Sequence, residues 1–251
     1  MHNEPPYGPL RVSKLFVSGP HGAAAELLAL AAAVAAHESL TGLILSGALY
    51  AQGLNAFVDA AAERRVSLLK IGHRCLMDAE SVSALARLLQ RGTLTELAVS
   101  SLGFPHAPEA SVPVLCAALR ACPTLTHLKL HFNPPDGASR RAVTALLDAA
   151  AALPALVMLN LSNSDLRDTA ATTGRALGAL LAANLPSLHT LRLNYCRLGD
   201  EGLAPLLDGL AANTHLRLLA CQSGNNLSVA FERDRLEPAL EALRARAELD
   251  E

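Results

Sequence analysis

The stretch Leu188–Leu216, LHTLRLNYCRLGDEGLAPLLDGLAANTHL, decides how the rest of the chain reads. It opens with Leu188, Leu191 and Leu193 at the spacing L-x-x-L-x-L, passes Cys196 and Leu198, and turns at Gly199-Asp200. Leu203, Leu206, Leu207 and Leu210 follow at helical spacing. Alternating apolar residues in the first part predict a short strand, and the three- and four-residue spacing of the second predicts an amphipathic helix. A single strand–helix unit cannot bury its apolar faces alone, whereas copies stacked side by side can.

The copies are present. The template fits eight times, opening at Val12, Leu40, Val66, Leu94, Leu125, Leu156, Leu188 and Leu216, at spacings of 28, 26, 28, 31, 31, 32 and 28 residues. One match occurs by chance in any Leu-rich helix; a run this regular over the whole chain does not. The unit resembles a leucine-rich repeat in its long, ribonuclease-inhibitor-like form. That resemblance implies an α/β horseshoe solenoid of about eight repeats, with a parallel sheet on the concave face and helices on the convex face. Residues 1–11 are expected as an irregular lead-in, 12–235 as the repeat array and 236–251 as a C-terminal capping helix.

Composition agrees. A chain of 251 residues has room for two ordinary domains, but the period never breaks, so one array is expected. Half the residues are apolar, yet 3% are aromatic and Trp is absent. Layers of Leu, Val and Ala need no large rings, while a platform that stacks nucleic-acid bases does. The net charge of −2 and the lack of a basic run give no electrostatic hold on nucleic acid or an anionic membrane. The Ala-rich run over residues 23–39 contains Glu26, follows a strand match and falls short of the roughly 20 apolar residues a bilayer needs. It reads as the first repeat's helix, not a signal peptide. Cys75, Cys116, Cys122, Cys196 and Cys221 are odd in number, without C-x-x-C spacing or a terminal cluster. Buried free thiols in a cytoplasmic protein are therefore expected.

Helices are expected over Leu54–Arg64 and Asp78–Gln90, with Gly92, Asn184 and Asn213 as left-handed closing residues before the next strand. The fourth to sixth repeats carry about three extra residues each, in Gly103–Glu109, Asn133–Gly137 and Ser164–Thr169. Insertions at one point of consecutive repeats stack into a rim, although surface loops also lengthen at little cost. At the end, Gln222–Arg235 reads as a charged loop leading to the cap. The N-terminal end has no equally clear cap, which leaves self-association there, or a longer protein, open.

Period 2 puts the residues between the inward leucines on the concave face. Lys14, Lys70, Lys129 and Arg192 stand there against Glu96 alone, so a protein partner with an acidic patch suits this face; an ordinary solvated sheet is the bland alternative. The candidate binding residues are Lys70, His127, Lys129, His131, Phe132, Asn160, Arg192, Asn194 and Tyr195, with Arg192 and Tyr195 as the best anchors. His127 and His131 lie about 13 Å apart on one strand, too far to share a zinc ion, so no metal is expected. No G-x-S-x-G, Walker loop, H-E-x-x-H or dinucleotide turn is present, so neither a catalytic residue nor a cofactor is expected, and the function read is a non-enzymatic interaction scaffold.

An enzymatic alternative comes from a second resemblance within the same repeat class. Ran GTPase-activating proteins carry an arginine on a loop after an early strand, where it can stabilise charge on a transferring phosphoryl group. Arg74, in IGHRCLMDAES, stands at that place, but its surroundings differ from that family's pattern and the chain ends ARAELDE instead of in a long acidic tail. Nuclease inhibition does not carry over, because this chain lacks the Cys richness and the Trp contacts of that inhibitor type.

Overall fold

The computed structural model describes residues 13–19, 24–47, 49, 51–72, 75, 77–100, 111–131 and 139–249. Strands and helices alternate throughout. β1 (Lys14–Gly19) leads to α1 (Ala24–Ala36), β2 (Gly42–Gly47) to α2 (Ala51–Arg64), β3 (Leu68–Ile71) to α3 (Ala79–Gln90), and β4 (Glu96–Ser100) to α4 (Ser111–Arg120). β5 (His127–His131) leads to α5 (Ser139–Ala150), β6 (Met158–Asn160) through a 3-10 turn to α6 (Ala170–Ala182), and β7 (Thr190–Arg192) to α7 (Gly199–Ala211). After β8 (Leu218–Ala220) come one helical turn, α8 (Val229–Phe231), a π turn (Glu232–Leu236) and α9 (Glu237–Leu249).

All eight strands form one parallel sheet in chain order, not closed into a barrel. Each helix packs on the next one along, giving a solenoid of two layers. Parallel strands sit about 4.8 Å apart while packed helices need about 8–10 Å, so the sheet takes the inner side of the curve. The expected register holds. Leu43, Leu69, Leu97, Leu128, Leu159, Leu191 and Leu219 face one another in a single row, all buried between sheet and helices. The residues that open each template, Leu40 through Leu216, form a second buried row.

In repeats two to five the hydroxyls of Thr41, Ser67, Thr95 and Thr126 each donate to the backbone carbonyl of the corresponding residue one repeat earlier, at 2.9–3.1 Å. A second buried polar line runs at the other end of the strands. Cys75 donates to Gly47 O, Ser164 to Leu130 O, Cys196 to Leu161 O and Asn225 to Leu193 O, so small polar groups satisfy carbonyls that the shortened strands leave unpaired.

Helix ends follow the expectation in part. Gly92 (φ +64°) and Asn184 (φ +52°) are left-handed. Asn213 is not. It is buried, its Nδ2 donates to Leu181 O at 2.8 Å, and its Oδ1 accepts from the amides of His215 and Leu216, so the side chain performs the closure that the backbone was expected to make. α2 begins at Ala51, earlier than the apolar spacing suggested, and Asp78 is the N-cap of α3, accepting from Ser81 N at 2.8 Å. The segment read as a loop to Arg235 turns helical at Val229. Ser228 caps that turn by accepting from Phe231 N and is itself held by two bonds to Asp200.

The α6–α7 contact is the tightest among the described residues. A Cβ on Gly174 would lie 2.0 Å from Gly202 O, one on Gly178 2.3 Å from Pro205 O, and one on Gly209 2.1 Å from Gly178 O. Here backbone lies directly on backbone, because glycine alone permits that approach.

Candidate functional site

The sheet's open face is built from rows that cross the repeats. One runs Phe16, Ile44, Lys70, Ala98, Lys129, Asn160, Arg192, Ala220, and its neighbour runs Lys14, Gly42, Leu68, Glu96, His127, Met158, Thr190, Leu218. The side chains expected to bind a partner do not all stand free on it. Lys70 is paired with Glu96 at 2.6 Å, which removes one positive charge from the face. His127 Nδ1 lies 2.9 Å from Thr126 Oγ1. His131 and Asn160 are buried, at 5% and 8% exposure, and Asn160 Oδ1 accepts from Ser162 N. Asn194 Oδ1 accepts from Ser223 N. These asparagines brace the backbone where the strands end, a role that period-2 reasoning does not distinguish from outward display. Lys129 is half-buried, while Arg192 and Tyr195 are exposed. Phe132 and Arg74 lie outside the described residues, as do the first two lengthened loops.

Beyond the last inward residue of β6, β7 and β8 the chain makes the same turn three times. Asn163 N donates to Asn194 O, Tyr195 N to Ser223 O and Arg197 N to Gly224 O, which brings neighbouring turns into register. Two rows result: Asn163, Tyr195, Gly224 and, two residues on, Asp165, Arg197, Asn226. Together they line an open polar cavity of about 460 Å³. All but Asp165 have a positive φ, between 55° and 68°. Asn and Gly accept that backbone readily; Tyr195 (φ +60°) and Arg197 (φ +56°) do so at a cost of roughly 1–2 kcal/mol each.

Tyr195 is 59% exposed, so burial within the chain offsets little of that cost. Its ring is nevertheless seated. A Cβ on Gly224 would lie 2.3 Å from Tyr195 Cδ1 and 2.8 Å from its Cα, so the ring rests on Gly224 and no other residue fits there. Beside it Arg197 Nη1 meets Asp165 Oδ2 at 3.0 Å, and Arg167 reaches the same carboxylate oxygen at 3.7 Å. Two guanidiniums share one carboxylate, leaving an excess of positive charge next to the aromatic ring. Exposed pairs of this kind contribute at most about 1 kcal/mol to stability.

Arg197, Gly224 and Asn226 escaped the sequence reading. Aligning the repeats on their last inward residue, Leu161, Leu193 and Cys221, sets Asn163-x-Asp165 against Tyr195-x-Arg197 and so signals Arg197, but the third repeat carries one more residue before Gly224-x-Asn226, which that alignment does not reveal. The five thiols are free and buried as expected. Burial pushes Cys75 up to about 11 and both Cys196 and Cys221 up to about 12, which keeps them protonated and unreactive at neutral pH. Among the described residues no three His, Cys, Asp or Glu side chains gather as metal ligands do, and no helix is long and apolar enough to cross a membrane.

No family model matches the chain, and no curated protein matches it. Among solved structures it is similar to a structural-genomics protein from Bacteroides fragilis, at 18% identity and a TM-score of 0.44; the match covers 81% of this chain and 64% of that one. The chain thus spans less than two thirds of that protein's length.

Proposed function

We propose that the chain is a leucine-rich repeat protein of the ribonuclease-inhibitor-like class, and that it is a non-enzymatic scaffold binding a protein partner through the concave sheet and the turns that follow β6, β7 and β8. The observation that carries this reading is Tyr195, an exposed aromatic on left-handed backbone, seated on Gly224 beside a polar cavity. Strained positions whose cost burial offsets little mark functional sites more often than neutral surface. Binding energy concentrates on Tyr and Arg, and a ring fixed before the encounter loses little entropy on contact. Arg197 in the same cavity, Arg167 on the carboxylate of Asp165 and Arg192 on the sheet face add positive charge, which favours a partner presenting carboxylates. Five reduced, buried thiols favour the cytoplasm as its compartment.

The test is positional. Full-length protein carrying a photoreactive phenylalanine analogue at position 195 should cross-link to a discrete protein in the host cell, and the same group at position 175, an exposed arginine of α6, should not. Cross-linking from 175 and none from 195 would move the binding surface to the helices.

A further inference from the structure

Of the described residues that line the cavity after β6, β7 and β8, only Asp165 and Arg197 are charged. Asp165 already serves two arginines. Its Oδ2 meets Arg197 Nη1 at 3.0 Å and Arg167 Nη2 at 3.7 Å, and its Oδ1 accepts from Arg167 N at 3.4 Å. Arg197 engages Asp165 through Nη1, and among the described residues the rest of its guanidinium has no partner. On the side of Arg197 away from Asp165 the row continues to Asn226, an exposed amide whose side chain bonds to no described residue. The nearby acids do not occupy this gap. Asp168 stands on the same 3-10 turn as Arg167 without lining the cavity, and both oxygens of Asp200 are taken by Ser228. On the adjoining sheet face Lys129 and Arg192 have no carboxylate partner among the described residues, unlike Lys70 on Glu96.

We propose that this cavity receives one carboxylate, carried on an Asp or Glu side chain of the protein partner, and that Asp165 is the resident group with which it competes. The inference rests on the scaffold reading above and adds what the partner must present at this point. One oxygen of the incoming carboxylate meets the unpaired edge of the Arg197 guanidinium and the other meets the Asn226 amide, so each oxygen finds an N–H donor. Asp165 has two opposed effects. It holds Arg197 in place, and it withdraws part of the positive charge that the ligand needs. The Tyr195 ring, seated on Gly224, then packs on the residue next to the acid, and Arg192 and Lys129 attract further acids of the same segment. A phosphoryl group suits the cavity less well, because its charge of about −2 calls for more than the one cation that lines it.

Peptides of a random library, acetylated and amidated so that acids occur only in side chains, are selected on the full chain and measured by fluorescence polarisation at low salt. The selected peptides should share an Asp or Glu, and exchanging it for Asn or Gln should weaken binding roughly tenfold or more. Arg197→Ala should abolish that difference between acid and amide peptides. Asp165→Asn keeps the acceptor for Arg167 N but loses the charge, and should tighten the acid peptides several-fold. Asn226→Asp puts a carboxylate where the ligand's should sit and should weaken them roughly tenfold, while Arg175→Ala on α6 should leave them unchanged. Circular dichroism checks that each variant is folded; should Asp165→Asn unfold, Asn226→Asp carries the same decision. A library without binders, binders indifferent to the acid-to-amide exchange, an acid preference that survives Arg197→Ala, or one that phosphoserine peptides surpass overturns the proposal. Acid-independent binders lost on Tyr195→Ala would sink it and leave the scaffold reading standing, whereas binders unaffected by Tyr195→Ala would count against both.

Discussion

Replacing Gly178 with alanine adds one methyl group where α6 and α7 lie backbone on backbone, and its cost can be worked from distances. The new Cβ would lie 2.3 Å from Pro205 O and 3.0 Å from Pro205 C, both backbone atoms that no rotamer change can move. Ordinary contact requires about 1 Å more, so α6 and α7 must separate, and a gap of that size forfeits a quarter to a half of the dispersion energy of the flanking atom pairs. Overpacking of this kind costs about 1–3 kcal/mol, with a backbone clash at or beyond the upper end, while alanine's helix preference returns about 1 kcal/mol, leaving a net loss of about 2 kcal/mol. Gly53→Ala is the matched control. There the new Cβ meets only the side chain of Leu27, closest at 2.9 Å to Cδ1, its flexible far end, so the preference for alanine dominates and the variant should be neutral or slightly stabilised. Thermal melting by circular dichroism reads both: at roughly 2–4 °C per kcal/mol for a chain of this size, Gly178→Ala should melt about 4–8 °C below wild type. Equal melting of the two variants, or Gly178→Ala at or above wild type, would refute the backbone-on-backbone packing of α6 and α7.

Three further outcomes follow from the same structure. Leu191→Asp places an unpaired carboxylate in the fully buried leucine row and should lower stability by several kcal/mol in urea titrations, while Arg192→Ala, one residue away on the open face, should change it by less than about 0.5 kcal/mol. The raised thiol pKa values of Cys75, Cys196 and Cys221 mean that the folded state keeps protons which the unfolded state releases above its ordinary value of about 9. Their contribution is therefore intact below pH 9 and is lost as pH rises towards 12, so urea midpoints should fall between pH 8 and 10.5, and Cys221→Ala should flatten that slope. A scaffold should not accelerate phosphate release from small GTPases; acceleration that Arg74→Ala abolishes, on the order of 10³-fold, would favour the enzymatic alternative.

The fold was legible because its information is periodic. Every inward leucine recurs at a fixed offset, and seven repeats reinforce the reading of each. Outward residues carry no such redundancy. Asn160 and Asn194 fall on the open face by alternation, yet their amides turn back to cap Ser162 and Ser223, a choice made by the geometry of the strand end and invisible to a period-2 count. Lys70 met Glu96 because the register puts neighbouring repeats side by side, which a single strand's pattern does not reveal. Asn213 was expected to close a helix through its backbone and does so through its side chain, since asparagine can do either and only its buried setting decides. Tyr195 was legible as an aromatic just past a strand, but its seat on Gly224 joins residues 29 positions apart and needed the fold.

The measurement closest to the central claim is the affinity of the purified partner for wild type and for the double variant Arg192→Ala with Tyr195→Ala, with Arg175→Ala as the control on the helical side. The account predicts that the double variant stays folded and loses at least about 2 kcal/mol of binding, roughly a 30-fold rise in Kd, while the control binds as wild type does. An unchanged Kd for the folded double variant, with binding lost on Arg175→Ala, would contradict it.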